Sequence, residues 1–182
     1  MHDEQLPPYS YVPGLLPHPV SDPAGYLHGK VMFAPCQGEP AQFLTCQNFL
    51  RGIDLFNHGF YWEAHEAWER CWHTMGRRGP RSLFLQGLIK LAAAAVKVRE
   101  GKSKGTRHLA AGAQRCFDQA RLELSEVGLG AKTWLLLSRL CQEASDQATD
   151  HPDQNRAVRV LFSVCLQPNR DATGESRNEG KP

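Results

Sequence analysis

Apolar residues recur at helical spacing along five stretches of the chain, and turn-forming residues separate these stretches. The predicted helices span residues 42–57, 60–75, 81–100, 106–127 and 131–149. Because the connections between them are short, consecutive helices are expected to pack side by side. The pattern therefore predicts an all-α fold, an antiparallel bundle of about five helices.

The third predicted helix is apolar on almost every side, which is typical of a helix at the centre of a bundle. Its polar exceptions, Gln86, Lys90 and Lys97, lie along one stripe. Ala93 and Ala94 lie between them and would permit another helix to come close. This positively charged stripe is expected to face acidic residues on a neighbouring helix.

The two ends of the chain have a different character. Residues 1–40 contain eight of the twelve prolines together with several apolar residues, which predicts an extended arm laid over the helices. Residues 41–167 form the predicted helical domain. Residues 156–167 fit either a short helix or a strand, and the polar residues 168–182 are predicted to be a disordered tail.

Charge and composition narrow the classes of function. The net charge of +2, from 21 basic and 19 acidic residues, gives no electrostatic case for nucleic-acid binding. No apolar run approaches the roughly 20 residues that span a bilayer, and the first residues do not resemble a secretory signal. The six cysteines form no C-x-x-C motif and are expected to be reduced, mostly buried thiols in a cytoplasmic protein.

The candidate functional side chains are concentrated in residues 57–72. They contain three of the four tryptophans, two histidines and the three glutamates Glu63, Glu66 and Glu69. On a helix with about 100° per residue, His65 and Glu69 share a face with Tyr61, Trp62, Trp68 and Trp72. Aromatic residues favour burial, so this face is predicted to point inward. Glu63, Ala67 and Arg70 are then predicted to point away.

The sequence His65-Glu66-Ala67-Trp68-Glu69 resembles half of the zinc-protease motif H-E-x-x-H, with a glutamate in place of the second histidine. A histidine and a glutamate four residues apart can bind a divalent metal, with His58 and His108 as possible further ligands. Alternatively, Glu66 or Glu69 beside His65 acts as a general base in an aromatic pocket. A third interpretation is a structural network satisfied by Gln86, Lys90 and Lys97, whose two charges argue against a bound cation.

Several of these residues together resemble the bacterial domain-of-unknown-function family numbered 309. The shared positions are Phe56, Gly59, Trp62, Glu63, Ala64, His65, Glu66, Glu69, Trp72, the run Gln86-Gly87-Leu88-Ile89 with the alanines that follow, Gly101 and Gly105. The resemblance covers about residues 43–126. It implies a small all-helical protein with His65, Glu66 and Glu69 as signature polar residues, and members of the family are sometimes described as predicted metal-dependent hydrolases.

These observations favour a buried polar site between the second and third predicted helices. His65 and Glu69 are the predicted metal ligands. The predicted catalytic residues are His65 and Glu66, with Glu66 as the base or as a group that supports the ligands. The side chains predicted to line the site or to bind an anionic group are Gln86, Lys90, Lys97, Trp62 and Trp72. The competing prediction is a non-enzymatic scaffold or protein-interaction module, and the sequence leaves the substrate, the partner and the oligomeric state open.

Overall fold

A computed structural model of the chain describes residues 5–30, 33–34, 40–74, 78–123 and 129–167. Within these ranges there are five α-helices, one 3₁₀ helix over Pro40–Thr45 and no β-strand. The α-helices are α1 (Gln47–Asn57), α2 (Tyr61–Thr74), α3 (Pro80–Arg99), α4 (Ser103–Glu123) and α5 (Ala131–Asp146). Each one packs against the next along the chain, which confirms the predicted all-α bundle.

The central helix is α3, as its apolar sequence predicted. It contacts α2, α4 and α5, and its leucines Leu85, Leu88 and Leu91 are buried. Gly87 permits the close approach of α4, because a Cβ atom there would lie 2.3 Å from Cε1 of Phe117. A small residue at this position therefore sets how closely α3 and α4 pack.

Residues 5–30 cross the helices without regular secondary structure, which confirms the predicted extended, proline-rich arm. The Ser10 hydroxyl donates a hydrogen bond to the carbonyl oxygen of Gly59 at 2.8 Å. Val12, two residues after Ser10 in the arm, is buried. The arm is therefore fastened beside the start of α2.

Residues 147–167, the described part of the chain after α5, form neither a helix nor a strand, so the prediction of one or the other for residues 156–167 is wrong. Helix side chains bind its backbone instead. Arg99 donates to the carbonyl oxygen of Ala157 at 3.0 Å, and the Asn57 side chain exchanges two hydrogen bonds of 2.8 Å with the backbone of Leu166. These side chains satisfy backbone groups that would otherwise require a helix or a sheet.

Two glycines with positive φ angles allow this C-terminal segment to pass close to the helix ends. They are Gly59, with φ of 84°, and Gly101, with φ of 66°. A Cβ atom at Gly59 would lie 2.6 Å from the carbonyl oxygen of Arg159, and one at Gly101 would lie 2.3 Å from the nitrogen of Pro152. Both positions require glycine for its backbone conformation and for its size.

Several helix ends differ from the predicted ones. Helix α4 begins at Ser103 rather than at Thr106, because the Asp150 carboxylate accepts hydrogen bonds from the backbone N–H and the hydroxyl of Ser103. Helix α5 ends at Asp146 rather than at residue 149. The ends predicted at residues 75 and 127, and the predicted disordered tail, lie outside the described residues.

None of the described helices is both long and apolar enough to cross a membrane. The five cysteines in the described ranges are present as thiols. Cys71, Cys116 and Cys141 are buried, Cys46 is partly buried and Cys165 is exposed. Most of the described thiols are therefore buried, as predicted.

Candidate functional site

Helix α2 buries the side that carries its alanines. The predicted inward face is therefore correct for Tyr61 and Trp68 but wrong for the other members, His65, Glu69, Trp62 and Trp72. The residues of α2 with 1% exposure or less are Tyr61, Glu63, Ala64, Ala67, Trp68 and Cys71. His65 and Glu69 lie toward the other side, with 24% and 38% of their side chains exposed. The two alanines bring α2 close to its neighbours, whereas the larger rings of Trp62 and Trp72 are only partly buried.

On this half-exposed side, His65, Glu66 and Glu69 bring nitrogen and oxygen atoms within 4.8 Å of one another. We call these three residues the His/Glu cluster. Nδ1 of His65 lies 3.3 Å from Oε1 of Glu66. The row continues to His73, whose Nε2 lies 3.9 Å from Oε1 of Glu69. His73 was not among the predicted residues, although its four-residue spacing from Glu69 indicates that the two meet.

Trp62 and Trp72 stand on either side of the cluster along α2, and both are held by other elements. Trp62 packs edge-on against Tyr11 and His18 of the arm, with ring centroids 5.2 and 5.1 Å away. The indole N–H of Trp72 donates to the hydroxyl of Ser82 on α3 at 2.7 Å. The arm and α3 therefore fix the aromatic borders of the cluster.

The two lysines of α3 bind other residues, so the prediction that they pair with the His/Glu cluster is wrong. Nζ of Lys90 lies 3.2 Å from Sγ of Cys116 on α4. Nζ of Lys97 donates to both carboxylate oxygens of Glu100, at 2.8 and 2.7 Å. Both lysine stems run past glycines of α4, which leave room for them. The charged stripe of α3 therefore faces α4 rather than α2.

The remaining predicted residues also have partners outside the cluster. Gln86 donates to the Ser82 hydroxyl at 3.4 Å, the same hydroxyl that Trp72 contacts. Nδ1 of His58 donates to the carbonyl oxygen of Asp54 at 2.7 Å, and His108 is exposed on α4. Neither His58 nor His108 belongs to the His/Glu cluster.

The buried acidic residue of α2 is Glu63, which periodicity had assigned to the outer side. Its Oε1 accepts hydrogen bonds from the backbone N–H of Tyr11 at 3.0 Å and from the hydroxyl of Tyr26 at 3.2 Å. Among the described residues, its Oε2 has no hydrogen-bond partner. Burial raises the pKa of Glu63 to about 7, against the opposing effect of these hydrogen bonds and of Arg99. Glu63 thus joins the arm to α2 through a carboxyl group that favours its neutral form.

Tyr26 links Glu63 to a cavity of about 650 Å³ between the arm and α1, which Leu6, Asn48 and Arg51 also line. Burial and the nearby Glu63 carboxyl group raise the pKa of Tyr26 far above its ordinary value. Its hydroxyl therefore keeps its proton and remains a hydrogen-bond donor to Glu63. This cavity is lined by the arm and α1, and not by the His/Glu cluster.

Among the described residues, Arg99 at the end of α3 is the other charged residue that is fully buried. Its Nε lies 3.4 Å from Oδ2 of Asp153, and its Nη2 donates to the carbonyl oxygens of Asn155 and Ala157 at 3.0 Å. Its positive charge also lowers the pKa of Glu63 against the effect of burial, so the two groups interact in the interior. Together they hold the arm and the C-terminal segment on the helices.

Comparison with known proteins supports the resemblance found in the sequence. Residues 49–109 match the family model described as a domain of unknown function, DUF309. No curated protein and no solved structure shows a significant match to the chain. The matched residues run from α1 into α4 and include the whole of α2 with its His/Glu cluster. The match covers about a third of the chain, so the chain is similar to the DUF309 family over these residues.

Proposed function

We propose that the His/Glu cluster binds a divalent metal ion on the half-exposed side of α2, with His65 and Glu69 as ligands and Glu66 beside them as a base. The observation that supports this most directly is the clustering of their donor atoms within 4.8 Å of one another. Imidazole nitrogen and carboxylate oxygen are donors that suit zinc, manganese and iron. A metal ion would link two side chains of one helix that otherwise lie near solvent.

The distances are compatible with this proposal. In a tetrahedral site with bonds of about 2.1 Å, neighbouring donor atoms lie about 3.4 Å apart. The donor atoms of the cluster lie within 4.8 Å of one another, which is somewhat farther apart than this ideal. Glu69 lies one turn later and is partly exposed, so a change of rotamer would bring its carboxylate closer. Two protein ligands would leave the remaining coordination positions for water or a substrate.

The charges are compatible as well. Two carboxylates beside a neutral imidazole balance the charge of a divalent ion. Lys90 and Lys97 would neutralise these carboxylates if they paired with them, and this would disfavour a bound cation. Both amines instead contact residues outside the cluster. His73, next to Glu69, offers one more nitrogen donor near the site.

A bound ion would supply a Lewis acid and would lower the pKa of a bound water molecule, which suits hydrolysis of a small-molecule substrate. His65 and Glu69 are the proposed ligands. Glu66 is the proposed base, because its partly exposed carboxylate is placed to accept a proton. Its hydrogen bond to Nδ1 would also orient the imidazole ring and leave Nε2 available for binding.

A non-enzymatic scaffold is the second candidate function. The observation that favours it is the use of other polar residues of α2 to hold distant chain segments. Glu63 binds the arm, and the Tyr61 hydroxyl accepts a hydrogen bond from the backbone N–H of Leu161 at 2.7 Å. In this alternative the domain presents a helical surface to a protein partner and requires no metal.

Metal analysis separates the two candidates. We expect the purified, tag-free protein, incubated with zinc or manganese and then desalted, to retain nearly one equivalent of metal by elemental analysis. The double variant H65A/E69A should bind at least tenfold more weakly in calorimetric titration. Because both side chains are partly exposed, its free energy of unfolding without metal should change by less than about 1 kcal/mol.

The matched control is H108A, which removes an exposed histidine of the same domain outside the cluster and should bind metal like the wild type. Glu66→Gln tests the role of Glu66, since a large loss of affinity would make it a ligand and a small loss would leave it as an orienting residue or base. Equal metal content in the wild type and H65A/E69A, or no metal in either, would rule out the site and favour the scaffold.

A further inference from the structure

Two thiols meet at the point where α1 begins and α2 approaches its end. Sγ of Cys46 lies 3.8 Å from Sγ of Cys71. Cys46 immediately precedes α1, and Cys71 lies on the buried side of α2. Two cysteines separated by 25 residues in sequence are thus in direct contact.

We propose that Cys46 and Cys71 form a reversible disulfide when the protein is exposed to a peroxide, and that this bond locks α1 against α2. The proposal is independent of metal binding. It assigns a modification site to two residues outside the His/Glu cluster.

The geometry requires a small adjustment. A disulfide bond is about 2.05 Å long, so the two sulfur atoms must approach each other by less than 2 Å. Cys46 lies at the joint between the 3₁₀ helix Pro40–Thr45 and α1, with extended backbone angles of −61° and 134°. A rotation of the Cys46 side chain would move its sulfur and leave the backbone in place, whose carbonyl oxygen accepts a hydrogen bond from the N–H of Leu50 at 3.1 Å. Cys71 is fully buried and would stay in place.

Exposure gives the two thiols different roles. Cys46 is partly exposed, so a peroxide from solvent can reach it, whereas Cys71 is sealed in the core. The other buried helix thiols are less suited to this reaction. Burial raises the pKa of Cys141 to about 12, which disfavours the reactive thiolate. Cys116 is buried, so a peroxide reaches it less readily than it reaches Cys46.

The reaction then proceeds in two balanced steps. The Cys46 thiolate attacks one oxygen of the peroxide, the O–O bond breaks, and the sulfur becomes a sulfenic acid as water or an alcohol leaves. The Cys71 sulfur, after losing its proton, attacks the Cys46 sulfur, and the S–O bond breaks with release of water. With hydrogen peroxide, two thiols and one oxidant yield one disulfide and two water molecules.

The bond would close a loop over residues 46–71, which contains all of α1 and most of α2. Such a bond restricts the unfolded chain and should raise the melting temperature of the oxidised protein. A thiol reductant should reverse the effect, because disulfide exchange restores both thiols. The disulfide would restrain α2, the helix that carries the His/Glu cluster, without involving any of the cluster residues.

The test is peptide mapping of the full-length protein. The protein is treated with equimolar hydrogen peroxide in the presence of a chelator, alkylated, and digested with trypsin without reduction. Cleavage after Lys30, Arg51, Arg70 and Arg77 places Cys46 on peptide 31–51 and Cys71 on peptide 71–77. We expect these two peptides to be joined, with a mass lower by two hydrogen atoms than their sum.

Peptide 31–51 also contains Cys36, so two variants assign the bond. The cross-link and the rise in melting temperature should persist in Cys36→Ser and disappear in Cys46→Ser. A cross-link that survives in Cys46→Ser would overturn the proposal. So would a Cys71 that remains a free thiol at peroxide doses that oxidise the exposed Cys165.

Discussion

Replacing Arg99 with alanine should lower the free energy of unfolding by about 3–5 kcal/mol, as expected when one partner of a buried ion pair is removed. The substitution leaves the mostly buried carboxylate of Asp153 without the guanidinium 3.4 Å away. It also removes the donor to the carbonyl oxygens of Asn155 and Ala157. Urea denaturation at neutral pH, followed by circular dichroism, measures the change.

Arg159 provides the matched control, because it also contacts Asp153, at 3.7 Å, but is 57% exposed. An exposed ion pair contributes little, so Arg159→Ala should cost less than about 1 kcal/mol. Equal losses in the two variants would mean that burial of Arg99 is not the source of its effect.

The Arg99 variant should also show local release of the C-terminal segment. Trypsin cleavage after Arg156, which lies beyond the last helix in a segment held by side chains, is expected to be faster in Arg99→Ala than in the wild type. Mass spectrometry of the early fragments measures this. Unchanged cleavage, together with a large loss of stability, would show that Arg99 stabilises the helices themselves rather than the attachment of the segment.

The helices were predictable because their apolar spacing and the breaks between them are local properties of the sequence. Helix α3 is the clearest case, since a stretch that is apolar on all sides has only a central position available to it. The C-terminal segment was not predictable in the same way. Its backbone is bound by Asn57, Tyr61 and Arg99, which lie far away in the sequence. No local pattern in residues 156–167 records these partners.

The buried side of α2 is predicted only in part, because aromatic residues alone do not mark it: Tyr61 and Trp68 are buried, but Trp62 and Trp72 are only partly so. Ala64 and Ala67 mark it instead, since small side chains permit close helix packing, while Trp62 and Trp72 cover its edges. The same error placed Glu63 outside, although it is completely buried. Its partners come from the arm, whose turns have no periodicity from which they could be predicted.

The candidate site was predicted in part. Spacing alone correctly indicated that His65, Glu66 and Glu69 lie together, because residues three and four apart meet on any helix. Residue spacing does not predict which side chains of α3 face α2, because the rotation of each helix about its own axis depends on packing. Lys90 and Lys97 face α4, and this leaves the His/Glu cluster with net negative charge and half-exposed, as a cation site would require.

Glu63 should make the protein less stable as the pH rises from about 4.5 to 8. Burial raises its pKa in the folded state to about 7 from an ordinary value of 4.5. Between these two values the folded protein holds a proton that the unfolded chain has lost, so the free energy of unfolding decreases with increasing pH. Below 4.5 the contribution is complete, and above 7 it is lost. A pKa difference of this size between the folded and unfolded states corresponds to at most about 3 kcal/mol in the free energy of unfolding.

Glu63→Gln isolates this contribution, because the amide oxygen can still accept the hydrogen bonds from Tyr11 and Tyr26 but the side chain does not titrate. The variant should match the wild type at pH 5 and should be more stable by roughly 1–3 kcal/mol at pH 8. Glu143 and Asp150 have lowered pKa values and lose stabilising interactions only in acid, and they titrate equally in both proteins. Their effect therefore cancels in the difference between the two urea-denaturation series. Parallel stability curves from pH 5 to pH 8 would show that Glu63 remains ionised beneath the arm, with Arg99 as the charge that keeps it so.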